Sequence, residues 1–185
     1  MRLFVGIPLA APVIDELRSL GTRLRSAGDG LRWTAPATWH ITLQFLGNTS
    51  EERFACVVER LHAVHAPSVR VSLEALDCFD RAGVLVVGVR LTPELLLLQE
   101  RVSEATQPCG FVPETRPYQP HITLARSKGK REEFDKVKAK LLRQPKFTRF
   151  TAHEFLLYES FLGADGARYE LRERFPLIGI KHYSA

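Results

Sequence analysis

Four residues occur twice in this chain in the same order, as His40-Ile41-Thr42-Leu43 and His121-Ile122-Thr123-Leu124. Polar and apolar residues alternate in each copy. On a β-strand, where successive side chains point to opposite faces, His40 and Thr42 share one face while Ile41 and Leu43 share the other. The same parity sorts His121 and Thr123 from Ile122 and Leu124. Each strand therefore buries an aliphatic face and presents an imidazole and a hydroxyl. Two such strands side by side make a cleft floor with two imidazoles and two hydroxyls, groups suited to proton transfer around an anion.

A phosphodiester is the substrate that such a set fits. Its hydrolysis needs a base to take a proton from water and an acid to protonate the departing oxygen, on opposite sides of phosphorus. Histidine titrates near neutrality, so one ring can be neutral while the other is charged. Threonine hydroxyls can hold the non-bridging oxygens in line. A ribose 2′-hydroxyl next to phosphorus points to RNA, whose strained 2′,3′-cyclic phosphate needs only acid–base catalysis to open. No carboxylate–histidine cluster with metal-ligand spacing accompanies the motifs, and neither a metal nor a cofactor is expected. His62 and His65, three apart on a helix, are read as solvent-exposed. Trp33, Trp39 and Tyr118 flank the motifs. Packing is expected for Trp39, while Trp33 and Tyr118 are candidates for lining a substrate groove, where rings could stack on bases.

The elements that must hold these residues follow from periodicity. Residues 2–7 alternate as a strand, and Val13, Leu17, Leu20 and Leu24 recur at helical spacing after Pro12, up to Gly28-Asp29-Gly30. A strand at 39–46 carries the first motif. Thr49 with Glu52 reads as a capping box for a helix burying Phe54, Val57, Val58, Leu61 and Val64. Strands at 69–76 and 84–91 follow, joined by a turn at Asp80–Gly83. Thr92-Pro93-Glu94 starts a helix that runs to about Thr106. Residues 107–120 hold four prolines and read as an irregular approach to the second motif strand at 121–125. A basic helix at 131–143, burying Phe134, Val137 and Leu141, and strands near 150–158 and 168–175, joined through 163–166, complete the order β α β α β β α β α β β. The halves 1–80 and 81–185 share a pattern. The expected fold is α+β and bilobal: two pseudo-twofold-related lobes of antiparallel sheet, helices outside and a central cleft between them, in one domain.

Composition narrows the setting. The chain has 185 residues, 45% hydrophobic and 25% charged, as an ordinary globular protein does. It has no run of apolar residues long enough to cross a membrane, and its alternating, proline-broken start reads as a strand and not a signal peptide, so a cytoplasmic protein is expected. Three cysteines, Cys56, Cys78 and Cys109, at wide spacing suggest incidental thiols and no disulfide framework. The net charge of +5 is concentrated in residues 126–149, where ten Lys or Arg face three acidic residues. That zone could attract phosphates, or Lys138, Lys140 and Arg143 could simply face water.

The paired motifs resemble those of the two-histidine (2H) phosphoesterase superfamily. The segments Arg2-Leu-Phe-Val-Gly-Ile7, His40-Ile-Thr-Leu-Gln-Phe-Leu-Gly47, Pro117-Tyr-Gln-Pro-His-Ile-Thr-Leu-Ala-Arg126 and Leu157-Tyr-Glu-Ser160 are similar to its RNA 2′,3′-cyclic phosphodiesterases, also called 2′-5′ RNA ligases. The resemblance implies hydrolysis of RNA 2′,3′-cyclic phosphate ends to 2′-phosphomonoesters, with weak reversible 2′-5′ joining. It implies His40 as proton donor, His121 as proton acceptor, and Thr42 and Thr123 as phosphate-binding residues. Arg126 matches the extended second motif, yet strict alternation puts it on the face opposite His121, so a phosphate role needs a bend in the strand. The expected partner is an RNA end and the expected state a monomer. Two other readings stand beside this one: a single-stranded RNA binding module without turnover, and a relative acting on another nucleotide phosphoester.

Overall fold

The computed structural model describes residues 1–26, 29–127, 131–140, 143–163 and 166–177. Gly28, Leu141, the turn residues 164 and 165, and His182 lie outside the described residues, as does the side chain of Lys138. The strands are β1 (Arg2–Pro8), β2 (Arg32–Trp33), β3 (His40–Asn48), β4 (Val69–Val71), β5 (Leu73–Phe79), β6 (Val84–Val89), β7 (His121–Arg126), β8 (Phe150–Ala152), β9 (Glu154–Gly163) and β10 (Gly166–Pro176). The helices are α1 (Ala11–Leu24), α2 (Glu51–His62), α3 (Pro93–Thr106) and α4 (Arg131–Lys138). The expected order holds, with one short strand, β2, added and the 69–76 and 150–158 segments each divided.

Two four-stranded sheets, ordered β10-β9-β1-β3 and β2-β7-β6-β5, are accompanied by the small pair β4-β8. Among the described residues every pairing is antiparallel. Each large sheet takes strands from both halves of the sequence. β9 and β10 join β1, and β2 crosses to the edge of β7. The lobes are therefore not coextensive with residues 1–80 and 81–185. Tryptophan and arginine at 32–33 satisfy the outer edge of β7, which would otherwise present unpaired backbone groups.

The aliphatic faces meet in one core. Ile41, Leu43, Ile122 and Leu124 from the motif strands are buried with Val13, Leu17, Leu20 and Leu24 of α1, Leu95, Leu98 and Val102 of α3, and Phe134 and Val137 of α4. Each such side chain contributes roughly 1.5–3 kcal/mol on burial. Thr92 caps α3 as expected, its hydroxyl accepting from the Leu95 N–H. The cap of α2 is Ser50 and not Thr49. The Thr49 hydroxyl instead donates to the Gly47 carbonyl, and its N–H bonds to the Met1 carbonyl, which keeps it one residue outside the helix.

The cysteine expectation is corrected. Cys56 of α2 and Cys109, just beyond α3, form a disulfide with Cα atoms 5.8 Å apart. They are separated by 53 residues in sequence, a spacing that reveals nothing until α2 and α3 pack together. Arg53, one turn earlier on α2, donates from Nε to the Cys109 carbonyl at 2.9 Å and lies 3.9 Å over the Phe111 ring. The start of the long approach to β7 is thereby anchored. Among the described residues, no helix is long and apolar enough to cross a membrane.

Candidate active site

The motif strands lie against each other, one in each large sheet. Along both, burial alternates as the sequence requires: His40, Thr42, His121 and Thr123 are half-buried, with buried neighbours between them.

Each imidazole is fixed in the same way. The Nδ1 of His40 bonds to the Thr38 carbonyl at 2.8 Å, and the Nδ1 of His121 to the Gln119 carbonyl at 2.7 Å. A carbonyl only accepts, so both Nδ1 atoms carry hydrogen and both Nε2 atoms are left for chemistry. The neutral His40 ring accepts at Nε2 from the Thr42 hydroxyl, 3.0 Å away.

The two rings differ in surroundings. His40 sits among aromatics: Phe4 at 4.5 Å between centroids, Tyr169 edge-on at 5.3 Å and Tyr158 at 6.0 Å. Burial away from water pushes its pKa from 6.5 down to about 4, with the positive charges of His121 and Arg126 acting in the same direction against the Thr38 carbonyl. His121 is more open and has Phe79 edge-on at 4.9 Å. Gly6 of β1 leaves the space that His40 uses. A Cβ there would lie 3.2 Å from the ring's Cδ2 and 2.9 Å from the Ile41 carbonyl oxygen.

Arg126 reaches the cleft face because β7 is not regular. Opposite β6, Leu85 pairs with Ala125 but Val86 pairs with Thr123, so Leu124 is an extra residue. Leu124 and Ala125 both turn inward, and Arg126 emerges exposed on the His121 side. This bulge is the bend that strict alternation lacked. β3 has its counterpart: opposite β1, Val5 pairs with Gln44 and Gly6 with Thr42, leaving Leu43 over. Phe45 therefore emerges on the His40 face beside Phe4, ring centroids 6.1 Å apart, and is 74% exposed. Burial raises the Tyr169 hydroxyl pKa, while the charges of Arg126 and Arg2 act against it.

Of the predicted groove residues, Arg126 is exposed at the end of β7, and its charge acts on His40. Tyr118 reaches β3, its hydroxyl donating to the Thr42 carbonyl at 2.8 Å. Trp33 is half-buried. It pairs with the buried Ala125, packs against the core and donates from Nε1 to Asp29. Trp39 is buried, as expected. In the basic segment, Lys140 donates to the Leu24 carbonyl at the end of α1, which supports that helix's C-terminus. The ring of His62 packs edge-on against Phe175 at 4.8 Å. Phe4, Phe45, Tyr169, Arg2 and Gly6 escaped the sequence reading. For Phe45 a signal existed: it follows His40 by five residues, as Arg126 follows His121.

The 2′-5′ RNA ligase superfamily model matches residues 7–161. The RNA 2′,3′-cyclic phosphodiesterase of Archaeoglobus fulgidus is 30% identical over 173 residues, covering 92% of this chain and 97% of that protein. The RNA 2′,3′-cyclic phosphodiesterase of Escherichia coli is 27% identical over 178 residues, 95% of this chain and 96% of that one. The crystal structure of E. coli LigT complexed with 3′-AMP superposes with a TM-score of 0.81 at 26% identity, over 95% of this chain and 97% of that chain. The α+β architecture is thus that of LigT-type phosphoesterases.

Proposed function

The chain belongs to the 2′-5′ RNA ligase superfamily, and on that premise we propose that it is an RNA 2′,3′-cyclic phosphodiesterase that uses its two histidines as acid and base and needs no metal. His121 Nε2 takes a proton from water as the water oxygen bonds to phosphorus. The P–O3′ bond breaks, and His40 Nε2 gives its proton to the leaving O3′. The product is a 2′-phosphomonoester with a free 3′-hydroxyl. Thr42, Thr123 and Arg126 hold the phosphate oxygens and take up charge as it develops. The exposed Phe45 ring offers a stacking face for the terminal base. An RNA 5′-hydroxyl in place of water would give a 2′–5′ link by the same proton movements, which accounts for weak, reversible joining.

The observation that carries this reading is the shared tautomer. Both imidazoles spend Nδ1 on a backbone carbonyl two residues upstream and keep Nε2 for the cleft. His40 is neutral before substrate arrives, because burial opposes its charge. A bound phosphodiester brings a negative charge that favours the protonated ring, so the acid is loaded with the substrate.

The test is incubation with a nucleoside 2′,3′-cyclic phosphate in the presence of a chelator. A 2′-monophosphate is the expected product, and His40→Ala or His121→Ala abolishes it while the fold survives. Binding of RNA ends without turnover would replace this reading with that of a binding module, and a strict metal requirement would refute the mechanism. A cytoplasmic monomer acting on RNA ends goes with this reading.

A further inference from the structure

The motif strands make a second set of contacts that proton transfer does not use. The Tyr118 hydroxyl donates to the Thr42 carbonyl at 2.8 Å. Trp39 Nε1 donates to the Thr34 hydroxyl at 2.8 Å, and that hydroxyl donates in a three-centre bond to the carbonyls of Thr123 and Leu124, each at 2.9 Å. Tyr118 stands three residues before His121 and Trp39 one residue before His40. The approach to each motif thus reaches across to the backbone of the other motif's threonine. Both contacts land where a bulge interrupts the ladder, at Leu43 and at Leu124. Bulges disrupt local pairing, and buried carbonyls need donors.

We propose that Tyr118 and the Trp39–Thr34 relay are positioning residues, a reciprocal clasp between the two sheets that sets the spacing of His40 and His121. The proposal rests on the two-histidine reading. Among the described residues no ladder joins β3 to β7, which belong to different sheets. Apolar packing holds the sheets together but is non-directional. Acid and base must both reach one phosphorus, and a displacement of about 1 Å can cost roughly 100-fold in rate. Directional bonds two residues from each imidazole supply the register that packing leaves loose. The neutral phenol is suited to this: burial pushes the Tyr118 pKa up, so it remains a donor.

Tyr118→Phe keeps the ring and removes the donor. Thr34→Val keeps the shape and removes the relay, and Thr34→Ser restores it. With a nucleoside 2′,3′-cyclic phosphate, Tyr118→Phe and Thr34→Val should each lower kcat about 10- to 100-fold, with KM within about twofold, and Thr34→Ser should recover most of it. Relaxation dispersion should reveal new microsecond-to-millisecond exchange in both strands, 40–44 and 121–125, of either variant. Unchanged kcat, a loss confined to KM, or quiet strands overturn the clasp. Should Thr34→Val not fold, Tyr118→Phe decides alone. If the wild type fails to turn over the cyclic phosphate, the two-histidine reading falls, and the dispersion result still judges the clasp.

Discussion

Burial of His40 makes the protein's stability depend on pH between about 4 and 6.5. Its pKa falls from 6.5 in the unfolded chain to about 4 in the native protein, chiefly through burial among Phe4, Tyr158 and Tyr169 and then through the charges of His121 and Arg126. Between those values the unfolded chain binds more protons than the native one, so stability rises with pH there. The contribution is whole above the unfolded pKa and is lost as pH falls toward the native one. A full shift corresponds to about 3 kcal/mol, and restricting the comparison to pH 7 against pH 5 leaves about 2 kcal/mol from this one ring. His40→Gln removes the titrating group. Urea unfolding of both proteins at pH 7 and pH 5 measures the difference: the wild type should lose about 2 kcal/mol more than the variant on acidification. Equal losses would show that the ring is not held neutral, and the environment argued for it would be wrong.

The same ring sets one limb of the pH–rate profile: kcat/KM should break near pH 4, and two limbs both near the ordinary histidine value of about 6.5 would contradict this. Gly6→Ala puts a methyl 2.9 Å from the Ile41 carbonyl and 3.2 Å from His40; melting should show a loss of about 1–3 kcal/mol, with kcat falling too, and wild-type behaviour would refute the packing. Closing the loop between Cys56 and Cys109, separated by 53 residues, is worth up to about 4 kcal/mol by chain entropy. Cys56→Ser, or a thiol reductant, should lower the urea midpoint accordingly, and an unmoved midpoint would refute that contribution.

Most of the element order could be read from periodicity because the helices bury one stripe and the strands one face. The motifs themselves were legible for the same reason: His40, Thr42, His121 and Thr123 obey strict alternation. Arg126 and Phe45 do not, because each lies beyond a bulge, and a bulge is a property of pairing with β6 or β1 that no single strand announces. The setting of Trp33 was not legible for a related reason. An aromatic two residues into a crossing strand has no defined face until β2 is paired with β7. Residues such as Phe4, Gly6 and Tyr169 act through proximity to His40 across three strands, which sequence distance conceals. The cysteines show the limit plainly, since their pairing depends only on how α2 and α3 pack.

The central claim is that both imidazoles act on one phosphorus. A crystal structure of the protein with a nucleoside 2′-monophosphate tests it most directly. The account predicts Nε2 of His40 near the ribose 3′-hydroxyl and Nε2 of His121 on a phosphate oxygen, each at about 2.6–3.2 Å. A phosphate held by only one of the two rings, with the other turned away, would contradict it.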